Sequence, residues 1–360
     1  MTVFNKHNTG HKNGYPLFLG DDLGIFDTIN VQYPKLEELY QMQLSQLWNE
    51  FEIDLTQDRM DMLTVPSGTR ELMVQTIMFQ TAADSIAAGS IIESLGKYIT
   101  NTECLNMATI WSFYEVIHAR TYAHIIKQTF TEPNQMIEQI YNNLDVMNRL
   151  TVIKDAFDEI AELPLDATEL QKKCAILKTL TALFGLEAIS FLSSFAVTFA
   201  ITETEVFQGI GQLVKLICRD EVLHTRMAAE LMSILMKDPS WAEAFELTKV
   251  ARTKVLDDVV KQEMDWAAAL FVGDRKVIGL NKALLQEYTM YMAAPIYSFM
   301  KLPFALSLVH TVPKQNPLPY MESYIDSSKM QAAPQEIQLS NYNVGSISDD
   351  NLDDLDLTDL

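Results

Sequence analysis

Two Glu-x-x-His pairs are the residues in this chain best suited to chemistry: Glu115 with His118, and Glu221 with His224. Residues three apart on an α-helix project from one face, so each pair can bind a single metal ion. One such pair is weak evidence, because most matches to so short a pattern are incidental. The two pairs use two of only six histidines, and both lie in largely apolar helical stretches. Together they predict a metal centre between helices.

An isolated acid precedes each pair: Asp84 lies 31 residues before Glu115, and Glu187 lies 34 residues before Glu221. The neighbours of Glu187 over two helical turns are largely apolar. Burying an ionised carboxylate costs several kcal/mol unless a cation compensates its charge. Asp84 also lies in the middle of a predicted helix, where an aspartate is poorly placed to cap a turn. Both acids are therefore candidate metal ligands.

If the four carboxylates converge, their negative charge requires about four positive charges, and neutral histidines add none. Two divalent ions meet that requirement, whereas one does not. Carboxylate and imidazole ligands suit iron or manganese better than metals that prefer sulfur. The predicted ligands are Asp84, Glu115, His118, Glu187, Glu221 and His224.

Helical patterns dominate the chain and place these ligands on separate helices. Ser67 and Thr102 are predicted N-caps, Pro34 a first-turn residue, and Pro295 an interior residue that kinks its helix. Residues 134–170 favour short helices, with a strand pair left open. The predicted helices cover residues 35–52, 67–88, 102–130, 171–202, 204–237, 241–270 and 281–301. The recurring acid and Glu-x-x-His pattern resembles that of ferritin-like di-metal bundles, so we expect an all-α bundle of this kind with extra helices.

Composition restricts the other possibilities. A net charge of −21 argues against nucleic-acid binding, and no export signal opens the sequence, so we expect a cytoplasmic protein. Three cysteines without C-x-x-C spacing indicate neither a disulfide framework nor a zinc site. Residues 180–201 are long and apolar enough for a membrane span, although Glu187 and the serines and threonines within them count against one. A central helix buried among other helices fits such an apolar segment equally well.

Three regions are predicted: an irregular arm over residues 1–32, the helical domain over 33–302, and a flexible tail over 303–360. The tail is rich in proline at first and then alternates Asp with Leu from Ser346 to Leu360. An acidic end of this kind is typical of a solubilising tail. Its leucines also suit a segment that becomes ordered in the groove of a partner.

The segments Glu115–Tyr122 and Arg219–His224 resemble the small, radical-generating (beta) subunit of class I ribonucleotide reductase. The likeness extends from the first long helix to the tail. It includes matching contexts for Trp48, Trp111, Phe191, Phe195, Ile217 and Tyr342. Tyr122, one turn beyond His118, and Tyr342, ahead of the acidic tail, separate this family from other di-metal proteins.

The resemblance implies a role for each ligand. Asp84, Glu115 and His118 would bind one metal ion and Glu187, Glu221 and His224 the other, with Glu115 bridging. The reduced metals, two irons or alternatively manganese, would activate O2, and Tyr122 would be oxidised to a stored tyrosyl radical. Phe191 and Phe195 share a helix face with Glu187, and Ile217 shares one with Glu221, which predicts an apolar wall around the radical.

The resemblance also implies a partner. Trp48 and Asp220 would connect His118 with mobile Tyr342, which passes the oxidising equivalent to the large (alpha) subunit, and Glu336 matches a further acidic tail position. The large subunit would bind the tail and reduce ribonucleotides to 2′-deoxyribonucleotides, and the small subunit would be a homodimer. The chain has no P-loop or dinucleotide-binding glycine motif, which agrees with that division of labour.

Two other functions use the same ligands. A ferritin-like iron store or ferroxidase requires neither Tyr122, Trp48 and Tyr342 nor a tail that binds a partner. A di-metal oxygenase or desaturase requires an open substrate channel, whereas the predicted apolar wall indicates a closed one.

Overall fold

The computed structural model describes residues 4–325, and within them every regular element is a helix. Two isolated bridges, Phe18 with Ile99 and Val277 with Leu280, are the strand-like pairings of this part of the chain. The all-α prediction is confirmed, and residues 134–170 form short helices. The α-helices are α1 Gly10–Asn13, α2 Pro34–Ser45, α3 Thr56–Thr64, α4 Ser67–Ser90, α5 Thr102–Thr129, α6 Pro133–Asn142, α7 Leu144–Arg149, α8 Thr151–Ala161, α9 Glu169–Gly185, α10 Leu192–Thr202, α11 Gln208–Lys237, α12 Ala242–Leu270, α13 Lys282–Phe299 and α14 Glu322–Ile325.

Two π-helical segments interrupt the regular helices. Ile91–Leu95 continues α4, and Leu186–Phe191 joins α9 to α10 in one uninterrupted helical run. Single π turns inside α-helices occur frequently at functional sites. The remaining elements are 3₁₀ turns at Gly96–Tyr98, Pro239–Trp241, Ala305–Leu308 and Pro319–Met321.

Four helices surround the centre of the bundle: α4, α5, α11, and the run formed by α9, the second π segment and α10. Within this group α4 packs on α5 and α10, and α11 packs on α5 and α10. Helices α12, α13 and α8 cover the outer side of α9 and the π segment. These outer helices therefore shield the run that carries Glu187.

The run Glu169–Thr202 is long and apolar enough to span a membrane, with a mean hydropathy of 1.7 in its most apolar window. That window is completely buried inside the protein. Because the surrounding helices cover its apolar surface, the buried central helix is the interpretation that the fold supports.

Several helix ends differ from the prediction, and at the start of α11 distant residues decide the position. Helix α2 ends at Ser45, so Trp48 lies beyond it. Ser67, the predicted N-cap, is instead the first residue of α4, and no side chain caps this helix. Asn101, not Thr102, caps α5 by accepting a hydrogen bond from the amide of Cys104. Helix α11 begins only at Gln208. Side chains of α3 satisfy its first amides: Asp61 accepts from Phe207, and Asp58 accepts from Gly209 and Ile210.

The segments at either end of the bundle pack against it. In the arm, Tyr15, Leu17 and Phe18 are buried. After residue 303, Tyr324 stacks on Phe199 with ring centroids 3.7 Å apart, and Tyr320 donates to the carbonyl of Ala196. The three predicted regions stay a prediction. Tyr342, Glu336 and the acidic end lie outside the described residues.

Candidate metal centre

The six predicted ligands meet at the centre of the bundle, and each is fully buried. Helix α4 contributes Asp84, α5 contributes Glu115 and His118, the second π segment contributes Glu187, and α11 contributes Glu221 and His224. Their potential ligand atoms form two groups, each spanning no more than 4.8 Å: Asp84, Glu115, His118 and Glu221 in one, and Glu115, Glu187, Glu221 and His224 in the other.

Two glutamates therefore belong to both groups. Glu115 was predicted to bridge, but Glu221 occupies an equivalent shared position. The Nδ1 atom of His118 lies 3.0 Å from Glu221 Oε1 and 3.7 Å from Glu115 Oε2. The Nδ1 atom of His224 lies 2.6 Å from Glu221 Oε2 and 3.0 Å from Glu115 Oε1. In both histidines it is therefore the Nδ1 atom that faces the carboxylates of Glu115 and Glu221.

The remaining two carboxylates have buried oxygens without hydrogen-bond partners. Neither oxygen of Asp84 and neither oxygen of Glu187 has such a partner among the described residues. A buried carboxylate without a partner is costly, and native proteins rarely retain one without a compensating cation. These unpaired oxygens, together with a donor set made only of carboxylates and imidazoles, fit two divalent ions such as iron or manganese.

The pKa values of the ligands also reflect the concentration of negative charge at this site. Burial, followed by the charges of Glu115 and Glu221, holds the pKa of Asp84 well above its usual range, and burial with the same two glutamates does so for Glu187. Burial disfavours charged imidazoles, but the neighbouring carboxylates outweigh it. They hold the pKa of His118 well above normal and raise the pKa of His224 to about 9. The surroundings therefore favour the protonated forms of two carboxyl groups and two imidazoles.

A hydrogen-bonded chain leads outward from His118. Its Nε2 lies 3.2 Å from Asp220 Oδ2, and the same oxygen accepts a 2.7 Å hydrogen bond from the indole nitrogen of Trp48. All three side chains are almost completely buried. Gln43 donates to the other oxygen of Asp220 at 3.2 Å, and the guanidinium of Arg219 lies beside it. The structure thus joins Trp48, Asp220 and His118, the residues that the resemblance connects, and their role in a relay stays a prediction.

Tyr122 lies on α5 one turn beyond His118 and is fully buried. Its hydroxyl has no hydrogen-bond partner among the described residues. Burial and the nearby charges of Asp84 and Glu221 hold the pKa of this phenol well above its usual value, so the side chain is neutral. Phe191 and Phe195 stack at 5.8 Å and, like Ile217, are fully buried. The predicted apolar residues are thus in the core.

Residues 25–303 match the family model described as ribonucleotide reductase, small chain. The chain belongs to this family. The ribonucleoside-diphosphate reductase 1 subunit beta of Escherichia coli O157:H7 is 31% identical over 365 residues, covering 94% of each chain. Accordingly, the chain is a small subunit of ribonucleoside-diphosphate reductase, and a small subunit implies a large-subunit partner.

Solved structures share the fold of this small chain. The ribonucleotide reductase R2 subunit from Clostridium botulinum aligns with a TM-score of 0.78 at 20% identity, covering 90% of this chain and 98% of that one. The dimanganese(II)-NrdF of Streptococcus sanguinis aligns with a TM-score of 0.61 at 18% identity, covering 76% and 90%. These neighbours confirm the predicted ferritin-like bundle.

Two features of the small-chain site were missed from sequence. The π segment that carries Glu187 has no recognisable sequence pattern. Gln43 did leave a signal, because it continues the buried stripe Leu36, Leu39 and Gln43 of α2. A polar residue in such a stripe requires a buried partner, which the structure identifies as Asp220.

Metal uptake by this small chain is expected to release protons and to strengthen as pH rises. Metal ligands bind in their deprotonated forms. Asp84, Glu187, His118 and His224 all have raised pKa values, which favour their protonated forms, so binding of two divalent ions should displace protons from these groups. Ferrous or manganous titrations from about pH 6 to about pH 8, with a pH indicator in weak buffer, measure both effects. Uptake that is independent of pH and releases no protons would contradict the assignment of these ligands.

Proposed function

We propose that this small subunit generates and stores a tyrosyl radical on Tyr122 and supplies it to a large subunit for ribonucleotide reduction. The observation that carries the proposal is the position of Tyr122, a fully buried phenol without a hydrogen-bond partner within the electrostatic influence of the acid and histidine cluster. A storage site would have no use for such a residue. The family membership of the chain supports the same function.

Two metal ions would be held by residues already in place. Asp84, Glu115, His118 and Glu221 would hold the first, and Glu115, Glu187, Glu221 and His224 the second. When bound in reduced form, the pair would supply electrons to O2, and O2 would be the oxidant that takes an electron from Tyr122. The donor set suits iron, manganese or one of each. The dimanganese(II) form of the streptococcal neighbour supports including manganese.

The protein controls where the proton of Tyr122 can go. Because burial keeps the phenol neutral, loss of an electron must be accompanied by loss of the hydroxyl proton. The hydroxyl has no protein acceptor in the described part of the chain, so no side chain there is already hydrogen-bonded to receive that proton. The stacked rings of Phe191 and Phe195 contribute to an apolar core that excludes water. Exclusion of water and reductants would prolong the life of the radical.

Trp48, Asp220 and His118 would connect this site with the partner. The indole N–H of Trp48 and the imidazole of His118 meet the same oxygen of Asp220, so the carboxylate can orient both rings. Tyr342 would continue the path to the large subunit, where nucleotides are reduced. We place this activity in the cytoplasm, where a reducing environment suits the three free cysteines.

A ferritin-like iron store is the second candidate, because the same ligands could bind ferrous iron while O2 oxidises it. The two functions differ in capacity and product. As a reductase subunit, the chain should saturate at two metal ions and, mixed with a large subunit, convert ribonucleoside diphosphates to deoxyribonucleotides. Continued iron uptake far beyond two ions per chain, without deoxyribonucleotide formation, would favour storage instead.

Deletion of residues 343–360 is expected to leave the radical intact and to weaken association with the large subunit. The deleted segment carries the alternating Asp and Leu residues, whereas Tyr122, Trp48 and all six ligands remain. Titration of the two forms against a labelled large subunit, with radical content measured in parallel, tests the role of the tail. Equal affinities of the full-length and shortened chains would exclude it.

A homodimer completes the proposed assembly. Phe113 and Val116 of α5 and Leu44 of the adjoining α2 are 41–50% exposed, which gives these packed helices an apolar outer face. A second copy of the chain would cover it. Sedimentation at the mass of one protomer at micromolar concentration would contradict the dimer.

A further inference from the structure

A fully enclosed ion pair lies beside the second π segment. Arg149, the last residue of α7, donates from Nε and a terminal nitrogen to the two oxygens of Glu263 on α12, at 2.7 and 2.5 Å. The side chains are 1% and 0% exposed. The planar guanidinium lies between two rings, 3.3 Å from the centroid of Phe79 and 3.7 Å from that of Trp266. These contacts fix its orientation.

The same terminal nitrogen of Arg149 also donates a 2.9 Å hydrogen bond to the backbone carbonyl of Ser190. Ser190 lies in the π segment three residues after Glu187. A π turn departs from the regular ladder of i to i+4 hydrogen bonds, so a donor from another helix can hold its backbone. Arg149 is therefore attached to the stretch of backbone that presents Glu187.

The aromatic contacts extend this support to the other side of the centre. Phe79 is five residues before Asp84 on α4, and its ring packs against Phe191 at the end of the π segment, 6.3 Å between centroids. The guanidinium of Arg149 thus contacts Phe79, which is close in sequence to Asp84, and Ser190, which is close to Glu187. A buried ion pair is weak evidence for stability alone, since apolar residues of similar size often serve as well. The hydrogen bond from Arg149 to Ser190 lets this pair also hold the backbone of the π segment in place.

We propose that Arg149, held by Glu263, is a positioning residue that fixes the π segment so that Glu187 can bind the second metal ion. The inference rests on the proposed metal-binding function of the six ligands. Groups that orient metal ligands typically change metal affinity by about 10- to 100-fold when removed. We therefore expect the second metal ion to be affected more than the first.

The double variant Arg149→Met/Glu263→Leu separates positioning from stability. It removes both buried charges together, so no uncompensated charge remains and the fold should be retained. It also leaves the Ser190 carbonyl without its donor. Equilibrium titration with manganous ion should show one ion bound as in the wild type and the second bound at least about tenfold more weakly. Hydrogen exchange should be faster in peptides covering residues 186–191.

Arg252→Met is the matched control. Arg252 is also a buried arginine, but it donates to Thr248 and to the carbonyl of Phe245 within its own helix, α12. This variant should lower the unfolding temperature of the metal-free protein while retaining both metal affinities. Arg149→Lys, which keeps the positive charge and one donor, should recover part of the second affinity and provides a test if the double variant does not fold.

Two unchanged metal affinities in a folded Arg149 variant would overturn the positioning role. Equal weakening of both ions in the Arg149 and Arg252 variants would also overturn it, because that pattern indicates general loss of structure. Failure of the wild type itself to bind two ions would instead contradict the proposed function, so the two failures are distinguishable.

Discussion

Replacing Tyr122 with Phe is expected to abolish the radical while leaving two metal ions bound. The substitution removes one hydroxyl and no metal ligand. Because that buried hydroxyl has no partner in the described structure, its loss breaks no hydrogen bond, and the free energy of unfolding should be unchanged or slightly higher. The rate of ribonucleotide reduction with the large subunit should fall by roughly 10³-fold or more, because removing one member of a group of residues that act together removes most of their combined effect.

Tyr288→Phe is the control for this experiment. Tyr288 of α13 is also fully buried, its hydroxyl also has no hydrogen-bond partner, and burial likewise holds its pKa well above normal. The substitutions therefore match in chemistry and burial. Electron paramagnetic resonance and metal analysis should show a radical in Tyr288→Phe and none in Tyr122→Phe. The same radical in both variants would remove Tyr122 from the proposed function.

Replacing Trp48 with Phe should have the second large effect, on transfer and not on radical formation. The variant keeps an aromatic ring but loses the indole N–H that donates to Asp220. Metal content and the Tyr122 radical should persist, while ribonucleotide reduction falls by roughly 10²-fold or more, the scale expected when a reacting group loses its alignment. The loss of stability should be smaller than the roughly 3–5 kcal/mol typical of truncating a buried Trp to Ala.

Trp241→Phe controls for the loss of indole volume. Trp241 is 3% exposed and packs on Phe18 and near the ammonium of Lys173, with no role in the predicted relay. It should lose comparable stability and retain ribonucleotide reduction. If Trp48→Phe and Trp241→Phe retain equal activity, Trp48 does not carry the oxidising equivalent.

The parts of the site that the sequence predicts are those that depend on residues close together in the chain. The two Glu-x-x-His pairs are local patterns, and the apolar surroundings of Glu187 are also visible in the sequence. The shared position of Glu221 depends on where α11 lies relative to α5, which no local pattern encodes. The hydrogen bond between the π segment and Arg149 likewise joins residues 41 apart in the chain, and Arg149 is held in turn by Glu263, 114 residues after it. Packing therefore decided the details that the sequence left open.

The helix boundaries show the same division. Pro34 correctly marked the start of α2, because proline suits the first turn whatever surrounds it. The start of α11 depends on Asp58 and Asp61, about 150 residues earlier in the chain, and was predicted four residues too early. The long apolar run could be a membrane span or a buried helix from its composition, and only its complete burial by neighbouring helices distinguishes them.

The most direct measurement is electron paramagnetic resonance of the protein after reconstitution with ferrous iron and O2, using chain grown with ordinary or ring-deuterated tyrosine. A tyrosyl radical on Tyr122 predicts a stable organic signal that narrows with deuterated tyrosine and is absent from Tyr122→Phe. Manganese loading serves as a parallel arm. The absence of a tyrosyl signal with both metals, in protein that binds two ions per chain, would contradict the proposed radical function.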